Sequence, residues 1–124
     1  MASPGYYLTM HDGTDTERYV MDTNGGTKKG RGLVIDGNVI QADLGAAGTP
    51  VAGTTYKTAM AMATNDIAHC TDAGVVQTDV VATLPTVTTL AVGGARAGAA
   101  AVYVKNIMVL PRRMTNAELQ GKTT

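Results

Sequence analysis

The side chains that could carry chemistry are few and scattered. His69-Cys70 with Asp72, and His11-Asp12, are the only places where a nucleophile or acid–base group has a neighbour of matching type. Adjacent residues on a strand point to opposite faces, so His69 and Cys70 cannot act together there. Asp15 and Glu17 are spaced i, i+2, which on a strand puts two carboxyls on one face. Retaining glycoside cleavage needs such a pair roughly 5 Å apart in a cleft. These two sit at the edge of a turn, so no catalytic residue is expected. Asp12, Asp15, Glu17, Asp22 and Asn24 gather near one hairpin end and offer the oxygens calcium prefers, but their spacing is not that of an EF-hand loop. A solvated turn is the simpler reading, with no metal site. Cys70 is the only cysteine. It cannot form an internal disulfide or a thiolate metal site and reads as a small buried apolar residue. Thr27–Gly32 (Thr-Lys-Lys-Gly-Arg-Gly) reads as a flexible basic loop. It lacks the glycine spacing and following helix of a phosphate-cradling loop, so no cofactor is expected.

Contact chemistry is a little better supplied. Tyr6, Tyr7, Tyr19, Tyr56 and Tyr103 are the only aromatic rings, and an exposed Tyr6–Tyr7 pair would be the natural glycan or partner contact. Arg112 and Arg113 suit either an anionic partner or a clasp in which one arginine packs on a sheet edge.

The elements that must position these groups are strands. Thr and Val are abundant and turn dipeptides recur at short intervals. Tyr6–Met10 closes at Asp12-Gly13, a hairpin signal. Thr16–Met21 alternates and ends at Asn24-Gly25. Leu33–Ile35 and Asn38–Ala42 are joined by Asp36-Gly37, and 45–55 is a loose crossover. Tyr56–Ala63 has helix-favouring Ala and Met, but its length and neighbours predict a strand buried on both faces. Ile67–Thr71, Val75–Val81 and Val87–Val92 follow. Val102–Leu110 alternates most strongly, with Val102, Val104, Met108 and Leu110 on one face and Tyr103, Lys105, Ile107 and Val109 on the other. Pro111 ends it. Thr115 and Glu118 have capping-box spacing, and Leu119 and Gly121 complete one helical turn. Nine or ten short strands and one terminal turn predict an all-β chain, an antiparallel β-sandwich or jelly roll, as one domain over 1–124.

Composition bounds the partners. Lys plus Arg and Asp plus Glu are each 10, so the formal net charge is zero, and a dedicated nucleic-acid binder is not expected. No run approaches the roughly 20 apolar residues that span a bilayer, so no membrane insertion is expected. Met1–Gly5 has neither a basic region nor an apolar run, which fits synthesis in a cytoplasm. With no Trp, no Phe and only five Tyr, the core must be built from smaller side chains. That thin margin predicts support from self-association or a partner chain.

Lys105–Gln120 (Lys-Asn-Ile-Met-Val-Leu-Pro-Arg-Arg-Met-Thr-Asn-Ala-Glu-Leu-Gln) resembles the closing stretch of concanavalin A-like (laminin G-like) sandwich domains, most closely copies in bacteriophage virion proteins. There a last strand runs into a Pro-Arg-Arg corner and a Thr/Ser, Asn/Asp, Ala, Glu, Leu turn, matched here by Pro111, Arg112, Arg113, Thr115, Asn116, Ala117, Glu118 and Leu119. The order of Tyr56–Ala63, Thr64-Asn65-Asp66, Gly74, Leu84-Pro85 and Val87–Gly93 agrees, so the resemblance covers roughly 56–120. It implies a lectin-like sandwich in a phage head or tail component, localised to the virion after synthesis in the host cytoplasm. The expected function is non-enzymatic: assembly as a homo-oligomer, a trimer by preference, or docking on other virion proteins. The alternative is a carbohydrate-binding module for host-surface glycans. A full domain of this type carries further N-terminal strands, so open edges completed by partner chains are expected. The Trp and Phe often used to stack on sugars are missing.

Overall fold

The computed structural model describes residues 5–93 and 103–124. Two antiparallel sheets pack face to face. The first runs in the order β4-β3-β2-β1-β8 and the second β5-β6-β7. In chain order, β1 is Tyr6–His11, β2 Arg18–Asp22, β3 Lys28–Asp36 and β4 Val39–Ala47. The second sheet holds β5 (Thr58–Ala63), β6 (Asp66–Thr71) and β7 (Gln77–Asp79). The chain then returns to the first sheet as β8 (Thr89–Val92) and finishes in α1 (Asn116–Lys122).

Turn chemistry sets the hairpins. Gly37 and Asn38 join β3 to β4 with φ of 59° and 64°. Positive φ at both central residues matches the right-handed twist of the flanking strands, and Gly and Asn adopt it most cheaply. Asp72 and Ala73, at 48° and 54°, do the same between β6 and β7.

Alternation then sorts the core into layers. Tyr19, Val34 and Ala42 of the first sheet meet Ile67, Met60 and Met62 of the second. The opposite residues of β5 and β6, Ala59, Ala61, Ala68 and Cys70, are covered by Leu119 of α1 and by Met114. On the far face of the first sheet, Val20, Leu33 and Ile35 are buried with Tyr6 against them. Two glycines of β3 permit a close approach of the sheets. A Cβ on Gly30 would lie 2.7 Å from Thr71 Oγ1, and one on Gly32 would lie 2.9 Å from Met60 Sδ and 3.0 Å from the His69 ring.

The all-β sandwich expected from the sequence is therefore present, with four departures, the first being that β4 runs on through Ala47, so residues 45–47 of the expected crossover pair with β3. Residues 27–32 are not a flexible loop, because all but Thr27 belong to β3. Their glycines sit under the second sheet and Arg31 is held by Asp22. Only Gln77–Asp79 of the expected strand Val75–Val81 is paired. The described part of the strand expected over Val102–Leu110 is not a strand: residues 103–110 have no partner strand among the described residues. Val102 lies outside them. Alternation supplies two faces, but a strand also needs a neighbour for its backbone N–H and C=O groups. Eight strands are found among the described residues, against nine or ten expected.

Candidate interaction surface

The C-terminal corner is held by short-range bonds that its sequence encodes. Thr115 Oγ1 accepts from Glu118 N at 3.2 Å and Glu118 Oε2 accepts from Thr115 N at 2.8 Å, a complete capping box. Arg112 donates to both Glu118 oxygens, at 3.0 and 2.7 Å. That bidentate partner, with the Thr115 bonds, brings the Glu118 carboxyl down to about 2. Arg113 reaches Asp66 at the start of β6 at 2.7 Å and Asn116 at 3.0 Å, and also donates to the Met114 carbonyl. Leu119 is fully buried, whereas Pro111 is exposed. Both arginines are thus engaged within the chain, and Arg113 clasps α1 to the sheet.

The tyrosines are dispersed. Tyr6 leans on Val20, Leu33 and Ile35, and Tyr7 donates from its hydroxyl to the Lys29 carbonyl at 2.9 Å. Burial, with the nearby Asp22 charge, pushes the Tyr7 phenol up to about 12. The two rings are half-buried and do not form the exposed pair that the sequence suggested. Tyr19 is in the core, and Tyr56 Oη accepts from Val51 N. Only Tyr103 stands free, 96% exposed.

The candidate chemical groups are held apart. His69 faces the first sheet, with Nε2 2.8 Å from Thr58 Oγ1, and burial brings it down to about 4, aided by the Lys28 charge. Cys70 points the other way, towards Thr123 and the Gly74 carbonyl. Asp72 accepts from Lys57 N. His11 accepts from Gly13 N, and Asp12 takes two bonds from Thr14 that hold its carboxyl below the usual range. Asp15 meets Arg18 and Glu17 accepts from Gly37 N at 2.6 Å. Asp22 and Asn24 lie at the opposite end of β2 from these, so the supposed acidic cluster is divided. Among the described residues, no group of three or more His, Cys, Asp or Glu is placed to hold a metal.

What the sequence reading missed is a buried ion pair and an uncovered surface. Asp22 is fully buried and accepts from Arg31 Nε and Nη2, both at 2.7 Å. The signal was register: Asp22 and Arg31 are directly opposite across β2 and β3. The uncovered surface lies on the inner face of β1 and β8, where Leu90 is 47% and Val92 54% exposed. An open cleft of about 200 Å³ there is lined by Met10, Val87, Thr88, Thr89 and Leu90. A second cleft of about 210 Å³, at Asp66, Arg113, Met114, Thr115 and Asn116, lies over the clasp just described. Among the described residues no helix is long and apolar enough to cross a membrane. Comparison of the chain with protein-family models, curated proteins and solved structures found no match.

Proposed function

We propose that the chain is a non-enzymatic structural component of a bacteriophage particle, a head-decoration or tail/fibre protein that acts by assembling with itself or docking on other virion proteins. The resemblance of roughly 56–120 to sandwich domains of phage virion proteins supplies the setting. The observation that carries the reading is the exposed apolar surface. Leu90 and Val92 lie open on one sheet, and Val104, Ile107, Met108, Val109 and Leu110 are exposed along an unpaired segment. Apolar patches of this extent mark association surfaces. The dispersed titratable groups support a role without catalysis. Light scattering across a micromolar concentration series tests it. An assembly is expected, a trimer being the first candidate, and a mass that stays monomeric throughout would count against self-assembly.

A second reading, a carbohydrate-binding module, is favoured by one feature: the exposed ring of Tyr103 could stack on a sugar. A glycan array probed with and without calcium would show binding lost in Tyr103→Ala. A flat response would remove it.

A further inference from the structure

We propose that His69 is an acid-operated release for the contact between the two sheets. When its ring gains a second proton, the sheet β5-β6-β7 with α1 separates from the first sheet, and each sheet keeps its own outer core. The inference does not rest on the assembly reading above.

The position of the ring carries it. His69 is 1% exposed and lies where β6 crosses Gly32 of β3. Nε2 is 2.8 Å from Thr58 Oγ1, and Cδ2 is 3.0 Å from the place a Cβ would take on Gly32. A neutral imidazole is content with a hydroxyl partner in an apolar layer. An imidazolium there needs water or a carboxylate. Gly32 presents only backbone to the ring, with no side chain to swing aside, and a contact this close leaves no space for water. Hydration of the charged ring therefore requires the sheets to part.

The elements around the ring supply no counter-charge. β5 brings Thr58 and Met60, and holds no charged residue. On β7, Gln77 is opposite His69, while Asp79, opposite Ile67, accepts from Val81 N. Just beyond β6, Asp72 accepts from Lys57 N. The first sheet offers Gly30 and Gly32 of β3, Met21 of β2 opposite Gly32, and Leu44 of β4. Its one phenol in this layer, Tyr19, is pushed up by burial. Asp22 and Asp43 alternate to the far face, where they hold Arg31 and Lys28, and Asp36, at the other end of β3, is bonded to Thr83. The charge that does reach the ring is that of Lys28, and it has the same sign. Burial and that charge bring the imidazole down to about 4.

The seam opens before the sheets do because each sheet has a second core. On one, α1 lays Leu119 over Ala61, Ala68 and Cys70, and Thr123 Oγ1 accepts from Ala73 N at 3.0 Å. On the other, Val20, Leu33 and Ile35 are buried with Tyr6 on the far face, beside the Asp22–Arg31 pair. Neither core includes His69. The connections 48–57 and 80–88 hold no strand or helix, so they allow the movement.

Hydrogen exchange of the full chain tests this, read by NMR at dilution from pH 7 to 4.5 and corrected for the intrinsic rate at each pH. Gly45 N is the reporter, because it is buried and its bond to Gln77 Oε1 crosses from sheet to sheet. Its protection should lie about tenfold or more below that of amides paired between β2 and β3 or between β5 and β6. It should also fall by about fiftyfold over this range, while the ring signals of the folded chain stay those of neutral imidazole until the pH nears 4. His69→Gln should remove the fall. Gly45 protection equal to that of the paired amides throughout means that opening is global, and overturns the proposal. So does a His69 ring that titrates near 6.5 in the folded wild-type chain, a reading that needs no variant. An undiminished fall in His69→Gln overturns it as well.

Discussion

Over β3 the two sheets meet so closely that even a methyl group on Gly30 or Gly32 would collide with Thr71, Met60 or the His69 ring. Over β8 the same first sheet leaves Leu90 and Val92 about half exposed, with no described strand over them. The chain is alike in composition in both places, built from small and aliphatic residues, yet one half is packed and the other open. The difference is strand number: among the described residues, three strands cannot roof five. Stability and association are thereby assigned to different parts of the molecule. The β3 region should respond to substitution as a core does, and the β8 region, with 103–110, as a binding surface does.

The largest effect expected is on the packed side. Arg31→Met would leave the Asp22 carboxylate, fully buried, without its bidentate partner. Removing one member of such a pair costs about 3–5 kcal/mol, because the remaining charge is stranded. Urea denaturation should show a loss of that size. A change under about 1 kcal/mol would mean that the pair is far better hydrated than its burial implies.

Next comes the pH dependence of the same region. His69 is held neutral by burial; its ring meets the Thr58 hydroxyl, which in turn meets that of Thr71, with the Lys28 charge near. Its value is about 6.5 unfolded and about 4 folded. The unfolded chain therefore binds the proton first as pH falls. The contribution of His69 is complete above 6.5 and is lost as pH drops to 4, by about 3 kcal/mol in all. His69→Gln should flatten the stability profile between those limits. Glu118, lowered from 4.5 to about 2, loses its own contribution as the pH falls from 4.5 to 2, so its window lies below that of His69.

Third, Gly30→Val should cost about 1–3 kcal/mol by overpacking, since the Thr71 and Thr58 hydroxyls that it would meet sit one bond from their own Cβ and have little room to retreat. If thermal melts show the variant as stable as wild type, the sheets are not held at the spacing described.

How much of this could be read in the sequence depended on the range of the interaction. The capping box at Thr115 and Glu118 was legible because its partners are three residues apart. So were most of the turns, and the strand expected over Tyr56–Ala63 and found over Thr58–Ala63, despite its helix-favouring Ala and Met, because flanking turns bound its length. Gly30, Arg31 and Gly32 were misread as a loop, since Gly and Lys/Arg are poor strand formers when judged locally. Their reasons are tertiary: a sheet passing overhead, and an aspartate brought opposite by register. Residues 103–110 were misread in the other direction. Their alternation is real, but periodicity reports which faces a strand would have and says nothing about whether a neighbour is there to pair with it. Tyr6 and Tyr7 failed as an exposed pair for a similar reason: Tyr6 packs on Val20, Leu33 and Ile35, and Tyr7 reaches the Lys29 carbonyl, so each ring is half-buried against residues distant in sequence.

The smallest expected effect on folding sharpens the comparison most. Val109 is 61% exposed in an unpaired segment, so Val109→Lys should change the unfolding free energy of the monomer by no more than about 0.5 kcal/mol. Measured at dilution, its denaturation midpoint should overlay that of wild type. At high concentration the two should separate, because assembly stabilises only the chain that can assemble. Coincidence at both concentrations would deny the open half any part in association. A large loss at dilution would show that 103–110 already packs against its own chain. Separation at high concentration alone is the result expected if one half of the molecule holds the fold and the other is reserved for a second copy.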